Sequence, residues 1–157
     1  MTNNDVLRRL RYTFDFSDSK MIKIFSLADH QVTRAQVSAW LKKDDDPDFK
    51  SCSDSELATF LNGLINDKRG KKEGAQPEPE KRLNNNIIFR KLKIALNLQS
   101  DDVLAMLALA ELSISKHELS AFFRKPEHKH FRACKDQVLR RFLTGMQLTL
   151  KKSEELG

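Results

Sequence analysis

The sequence predicts an all-α protein made of two tandem four-helix repeats packed as one unit about a pseudo-twofold axis. Three observations predict it. Shifted by 82 residues, the chain aligns on itself without a gap. Apolar residues recur at helical spacing, and no segment alternates apolar and polar over a strand's length. Gly 5 and Pro 4 in 157 residues are too few for a turn-rich all-β fold.

The self-match is specific. Asn3 and Asn4 fall on Asn85 and Asn86, Leu27-Ala28 on Leu109-Ala110, and Ser38-Ala39 on Ser120-Ala121. Phe49, Cys52 and Asp54 fall on Phe131, Cys134 and Asp136; Phe60, Leu61 and Gly63 fall on Phe142, Leu143 and Gly145. A shared helical period would give similar polarity, but it would not place the same Phe-x-x-Cys-x-Asp in a loop.

Each copy reads as four helices. Asn3 or Asn4 caps the first, whose apolar face is Val6, Leu7, Leu10 and Phe14. Ser17 or Asp18 caps the second, with Met21, Ile22, Ile24, Phe25 and Ala28 as its apolar face. Thr33 caps the third, carrying Val37, Trp40 and Leu41. After an Asp-rich loop, Ser53-x-x-Glu56 is a capping box opening the fourth, with Leu57, Phe60, Leu61, Leu64 and Ile65. In copy two, Asn85 or Asn86, Ser100 and Ser115 stand at the same starts, Ser115-x-x-Glu118 is again a capping box, and Phe122 replaces Trp40. Between the copies, Lys71 to Arg82 is charged, holds Gly74, Pro77 and Pro79, and reads as an exposed linker. The expected organisation is repeat 1 over 1–70, linker over 71–82 and repeat 2 over 83–157. A repeat of about 70 residues buries little surface alone, which is the reason to expect the two to pack together.

Hydrophobic residues at 39%, charged residues at 32% and a mean hydropathy of −0.55 describe a globular chain. No apolar run approaches the roughly 20 residues of a membrane span, so no membrane partner is expected. Two cysteines cannot form a disulfide framework, and MTNNDVLRRL lacks the apolar core of a signal peptide. A reducing, cytoplasmic setting is the expectation.

The stretches FLNGLINDKRG (Phe60 to Gly70), NNNIIFRKLKIAL (Asn84 to Leu96) and KPEHKHFRACKDQVLRRFLTGM (Lys125 to Met146) resemble the YehS-like family of duplicated bacterial proteins. The resemblance spans nearly the whole chain, the linker included. It implies a bacterial cytoplasmic protein of the same repeated design. It implies no activity, because the family is one of unknown function, and it brings no catalytic residues.

Four kinds of site can be weighed from the residues themselves. Val32 to Leu41 resembles the turn and recognition helix of a helix-turn-helix: a Thr33 cap, exposed first-turn residues, and Val37 and Trp40 as back-face anchors. That register turns Arg34, Gln36 and Lys42 toward nucleic acid, and Lys116, His117, Ser120 and Arg124 answer in copy two. Two features depart from the motif: Leu27 and Leu109 stand where a small residue is wanted, and Gln31 and Ser113 stand where Gly is. The alternative is an ordinary capped helix pair.

Charge is the second. The net charge is +6, with a pI near 9.4, and it is unevenly spread. Residues 1–70 hold 11 Lys and Arg against 11 Asp and Glu, whereas residues 83–157 hold 13 against 8. Arg124, Lys125, Lys129, Arg132 and Lys135 crowd one loop of copy two, where copy one carries Asp44, Asp45, Asp46 and Asp48. Such a patch suits a polyanion, though a solvated surface with no partner looks the same.

Third, His128-x-His130-x3-Cys134 with His117 offers zinc-type ligands, but the spacing fits no common zinc motif. Copy one has Asp46, Asp48 and Cys52 instead, so no metal or cofactor is assigned. Fourth, no Gly-rich phosphate loop, G-x-S-x-G or H-E-x-x-H occurs, and no nucleophile stands beside a base, so no enzyme is expected. The reading is a non-enzymatic binding module for DNA or RNA, through the helix-turn-helix-like element and the basic surface of repeat 2 (Arg124, Lys125, Lys129, Arg132). The rival is a protein–protein interaction adaptor.

Overall fold

The computed structural model describes residues 1–156, with side chains through residue 151; Gly157, at the end of the expected second repeat, lies outside the described residues. The chain divides into two compact units, Met1–Leu83 and a second beginning at Asn84. Among the described residues every regular element is a helix. Unit 1 holds α1 (Asn3–Phe14), α2 (Asp18–Leu27), α3 (Arg34–Leu41) and α4 (Asp54–Arg69). Unit 2 holds α5 (Asn85–Ala95), α6 (Ser100–Leu109), α7 (Lys116–Phe122) and α8 (Asp136–Leu156).

Within each unit the second and fourth helices share the most extensive interface. A Cβ on Gly63 of α4 would stand 1.9 Å from the Ile24 carbonyl oxygen of α2, and a Cβ on Gly145 of α8 would stand 1.9 Å from that of Met106 of α6. The two backbones therefore touch, and only glycine fits there. Phe25, Phe60 and Trp40 gather at the centre of unit 1, with Phe25 ring centroids 5.3 Å from Phe60 and 5.4 Å from Trp40. Phe89, Phe142 and Phe122 gather in unit 2.

Several helix starts fall one or two residues from where the sequence puts them. Thr2, not Asn3 or Asn4, caps α1 through a box with Asp5; Asn84, not Asn85 or Asn86, caps α5; Gln99, not Ser100, caps α6. Ser17, Thr33, Ser53 and Ser115 cap as expected. The asparagines are displaced from capping because long-range bonds use them. Asn4 Nδ2 donates to the Trp40 and Lys50 carbonyls at 2.9 Å each, and its Oδ1 accepts from the Cys52 N–H at 3.0 Å. Asn86 repeats this with Phe122, Arg132 and Cys134 at 3.0, 2.8 and 2.9 Å. Asn3 donates to the Cys52 carbonyl and Asp54, and Asn85 to the Cys134 carbonyl and Asp136. Those amide bonds hold the Asp54 and Asp136 carboxyls below the usual range. Each asparagine pair thus clips the long loop before the fourth helix onto the first helix.

Residues 71–82 group with unit 1. Lys71 Nζ pairs with Asp29 at 2.6 Å, Asn66 Nδ2 donates to Gln76 Oε1 at 2.7 Å, and the Leu83 N–H donates to Asp54 at 2.8 Å. This segment is polar, as its composition says, and it is tethered by polar contacts rather than by a buried apolar side chain.

A candidate nucleic-acid interface on the second repeat

The loops before α4 and α8 share one backbone design. In unit 1 the Asp46 N–H donates to the Lys43 carbonyl, Phe49 N–H to that of Asp46, and Lys50 N–H to that of Ala39. In unit 2 the same bonds run from His128 to Lys125, Phe131 to His128 and Arg132 to Ala121. Even the side-chain turn is kept: Asp46 Oδ1 accepts from the Asp48 N–H at 2.8 Å, and His128 Nδ1 accepts from the His130 N–H at 3.0 Å. On this common frame the Asp44, Asp45, Asp46 and Asp48 of unit 1 become Pro126, Glu127, His128 and His130. One backbone therefore carries an acidic loop in the first repeat and a basic loop in the second.

The sequence-predicted residues separate into two groups. In unit 1 the side chains of Arg34 and Gln36 have partners within the unit, and Lys42 is engaged through its backbone alone. Arg34 lies across α2, with Nη2 3.0 Å from Ser19 Oγ and Nη1 3.4 Å from Asp18. Gln36 closes the capping box of α3, accepting the Thr33 N–H at 2.8 Å. Lys42 is half-buried, and its carbonyl accepts from Arg8 at 2.6 Å.

Unit 2 differs. Lys125, Lys129 and Arg132 are exposed, and among the described residues none of the three is held in an ion pair. Lys116, on α7, approaches Asp101 at 3.6 Å, but both side chains are largely exposed, so the pair constrains little. His117 is exposed with its ring 6.4 Å from His130, which in turn lies 5.6 Å from His128. Ser120 Oγ donates back to the His117 carbonyl and is a helix-surface residue. Arg124 is half-buried, with Nη1 3.4 Å from His128 Nε2. Glu118, the one carboxylate on α7, is held below its usual range by its capping bond from the Ser115 N–H. The structure thus brings His117, Arg124, His128 and His130 into one neighbourhood flanked by Lys125, Lys129 and Arg132.

Cys134 does not join the histidines. It is buried, its thiol is pushed up to about 12 by burial, and Cys52 is pushed up to about 12 for the same first reason. Among the described residues no group of three His, Cys, Asp or Glu side chains is arranged to hold a metal ion.

The helix pairs also depart from a helix-turn-helix in detail. Residues 28–33 and 110–115 join second to third helix, longer than the turn of about three to four residues in that motif. Each connection turns back through a left-handed residue, Asp29 (φ 58°) or Glu111 (φ 64°), and ends in an extended cap residue, Thr33 or Ser115. Leu109 is 49% exposed, and the close crossing of α6 is with α8 at Gly145; the Leu27 carbonyl accepts from Asn66 of α4 at 2.8 Å.

Sequence reasoning missed Arg90 and Lys93 of α5, which meet α7 at Phe123. Arg90 Nη2 lies 3.4 Å from the Phe123 carbonyl, and Lys93 Nζ sits over the Phe123 ring, 4.9 Å from its centroid. Retention of Arg at both Arg8 and Arg90 was the available signal.

The family model described as a protein of unknown function, DUF1456, matches residues 3–70 and 85–151, one match per repeat. The chain belongs to this family. It is 45% identical over 147 residues to the uncharacterized protein YehS of Escherichia coli (strain K12), covering 93% of this chain and 94% of that one. No solved structure matches the chain. Among the described residues no helix is long and apolar enough to cross a membrane.

Proposed function

We propose that this protein is a non-enzymatic module that binds nucleic acid through the second repeat, chiefly by phosphate contacts from the basic loop. One observation carries the reading. The same loop backbone occurs twice, with exposed cations at Lys43 and Lys50 in unit 1 and at Lys125 and Arg132 in unit 2; unit 1 sets Asp44, Asp45, Asp46 and Asp48 in the same loop, whereas unit 2 keeps one acid, Glu127, and adds Lys129. Arg124, Lys116 and His117 border them. Phosphate contacts of this kind position a protein without reading sequence. The reading does not call on insertion of α3 or α7 into a major groove, because Arg34 and Gln36 are engaged by Asp18, Ser19 and Thr33.

The test is the triple variant Lys125→Gln, Lys129→Gln, Arg132→Gln. Its fold should survive, since exposed side chains cost about 0.5 kcal/mol or less each. Its affinity for DNA and RNA should fall, and the slope of log affinity against log salt should flatten by up to about one unit for each phosphate no longer neutralised. Arg34→Ala with Lys42→Ala should change affinity little. Absence of any salt-dependent binding by the wild type at about 50 mM salt would refute the reading and favour a protein-interaction adaptor.

A further inference from the structure

The two repeats are an internal comparison, and they differ at a second place. The first helix of each unit sends two cations toward the end of the third: Arg8 and Arg11 from α1, Arg90 and Lys93 from α5. In unit 1 acids accompany them. Arg8 Nη2 pairs with Asp5 at 2.5 Å, Arg11 Nη2 lies 3.5 Å from Asp18, and Asp15 lines the same open pocket of about 290 Å3 as both arginines. The cations of unit 1 are neutralised from within.

In unit 2 the cations stay and the acids at those three positions go; Asp101 and Asp102, in the first turn of α6, face Lys116 and the Gln99 N–H. The positions of Asp5, Asp15 and Asp18 are held by Ile87, Asn97 and Ser100. Arg90 and Lys93 converge on the half-buried Phe123, one at its carbonyl and one over its ring. The next residue is Arg124, the counterpart of Lys42, and its buried Nε has no hydrogen-bond partner among the described residues. Two cations meet at Phe123 and a third, Arg124, follows it in the chain with Nη1 3.4 Å from His128 Nε2; with the carboxylates of the sister repeat removed, these like charges form a cluster that an anion would relieve.

We propose that Arg90, Lys93 and Arg124 form a phosphate-binding site at the meeting of α5 and α7. Guanidinium forks and an ammonium match a phosphate group's oxygens and charge, and Asn97 and Ser100 replace carboxylates that would repel it. The site rests on the nucleic-acid reading only for which molecule carries the phosphate. A nucleic-acid backbone, a terminal phosphate and free inorganic phosphate share the chemistry.

The experiment restores the acids of unit 1: Asn97→Asp with Ser100→Asp in the full chain. The backbone accepts them, since Asn97 (φ 52°) and Asp15 (φ 54°) share one left-handed conformation, and Asp18 already opens α2. Arg90→Gln with Lys93→Gln is the second variant, and Arg8→Gln with Arg11→Gln the control. The probes are inorganic phosphate, followed by amide chemical shifts, and short oligonucleotides with and without a 5′-phosphate. Phosphate should shift wild-type amides around Lys93 and Arg124, not those around Arg11 and Lys42. Both unit 2 variants should abolish those shifts and weaken oligonucleotide binding by roughly tenfold for each charge-assisted bond removed, with the control near wild type. Equal weakening for both oligonucleotides assigns an internal phosphate; weakening confined to the 5′-phosphorylated one assigns the end. Wild-type binding in both unit 2 variants, with weakening only in the Lys125, Lys129, Arg132 variant, overturns the site and leaves the loop reading standing. Phosphate shifts without any oligonucleotide binding keep the site and overturn the nucleic-acid reading.

Discussion

Asn4→Ala removes one small polar side chain and should cost as much as truncating a large core residue. The amide makes three bonds: to the Trp40 and Lys50 carbonyls and from the Cys52 N–H, at 2.9, 2.9 and 3.0 Å. Asn4 is 3% exposed, so water does not readily replace it. At about 1 kcal/mol net per hydrogen bond, and more for each buried group left unpaired, the loss is about 3–5 kcal/mol. That is a large share of the roughly 5–15 kcal/mol typical of a domain. The assay is urea unfolding followed by tryptophan fluorescence, because the single Trp, Trp40, is itself an acceptor in the clip and reports on repeat 1. For a slope near 2 kcal/mol/M, the midpoint should fall by about 2 M. Asn4→Asp is a stricter probe. It keeps the shape but turns the donor toward two carbonyls into an acceptor, and should be at least as damaging. Asn86→Ala, in the matching clip, should cost about the same and free the Cys134 amide for hydrogen exchange. A loss below about 1 kcal/mol in Asn4→Ala would show that the loop is held by something other than the asparagine, and the inference from bond geometry would fail.

Gly63→Ala and Gly145→Ala should each destabilise by about 3 kcal/mol, the upper part of the usual overpacking range, because the new methyl meets a backbone carbonyl at 1.9 Å; thermal melts that move by less than a degree would contradict a backbone-to-backbone crossing. The Cys52 and Cys134 thiols, pushed up to about 12 by burial, stay protonated at pH 8.5, where a free thiol titrates. Folding then favours the thiol form, and that contribution fades only as pH rises from the ordinary thiol range toward 12. Alkylation at pH 8.5 should therefore be slow for the native protein and rapid in urea, with mass spectrometry counting the labels.

How much of the molecule a sequence can disclose depends on the range of the interaction involved. The duplication, the helices of each copy and most core positions are legible in the chain, because capping boxes close over three residues and apolar faces repeat every turn. The sign of each loop is legible too, since charge is carried by residue type. The asparagine pairs were visible as repeated residues yet pointed to the wrong role: an Asn before an apolar run fits a cap, and only the return of the chain some 36 to 51 residues later offers the carbonyls and carboxylates they bind. Gly63 and Gly145 likewise show as matches without a reason until α2 and α6 are laid against them. Whether a cation is free is the most tertiary property of all. Arg34 and Lys125 look alike as letters and both are exposed, but Asp18 and Ser19 lie within reach of the first while, among the described residues, no acid pairs with the second. Arg90 and Lys93 become neighbours of Arg124 only because α5 and α7 meet at Phe123. The chain determines which charges exist, and the fold decides which of them are already answered, because Coulombic pairing depends on distances that only packing sets.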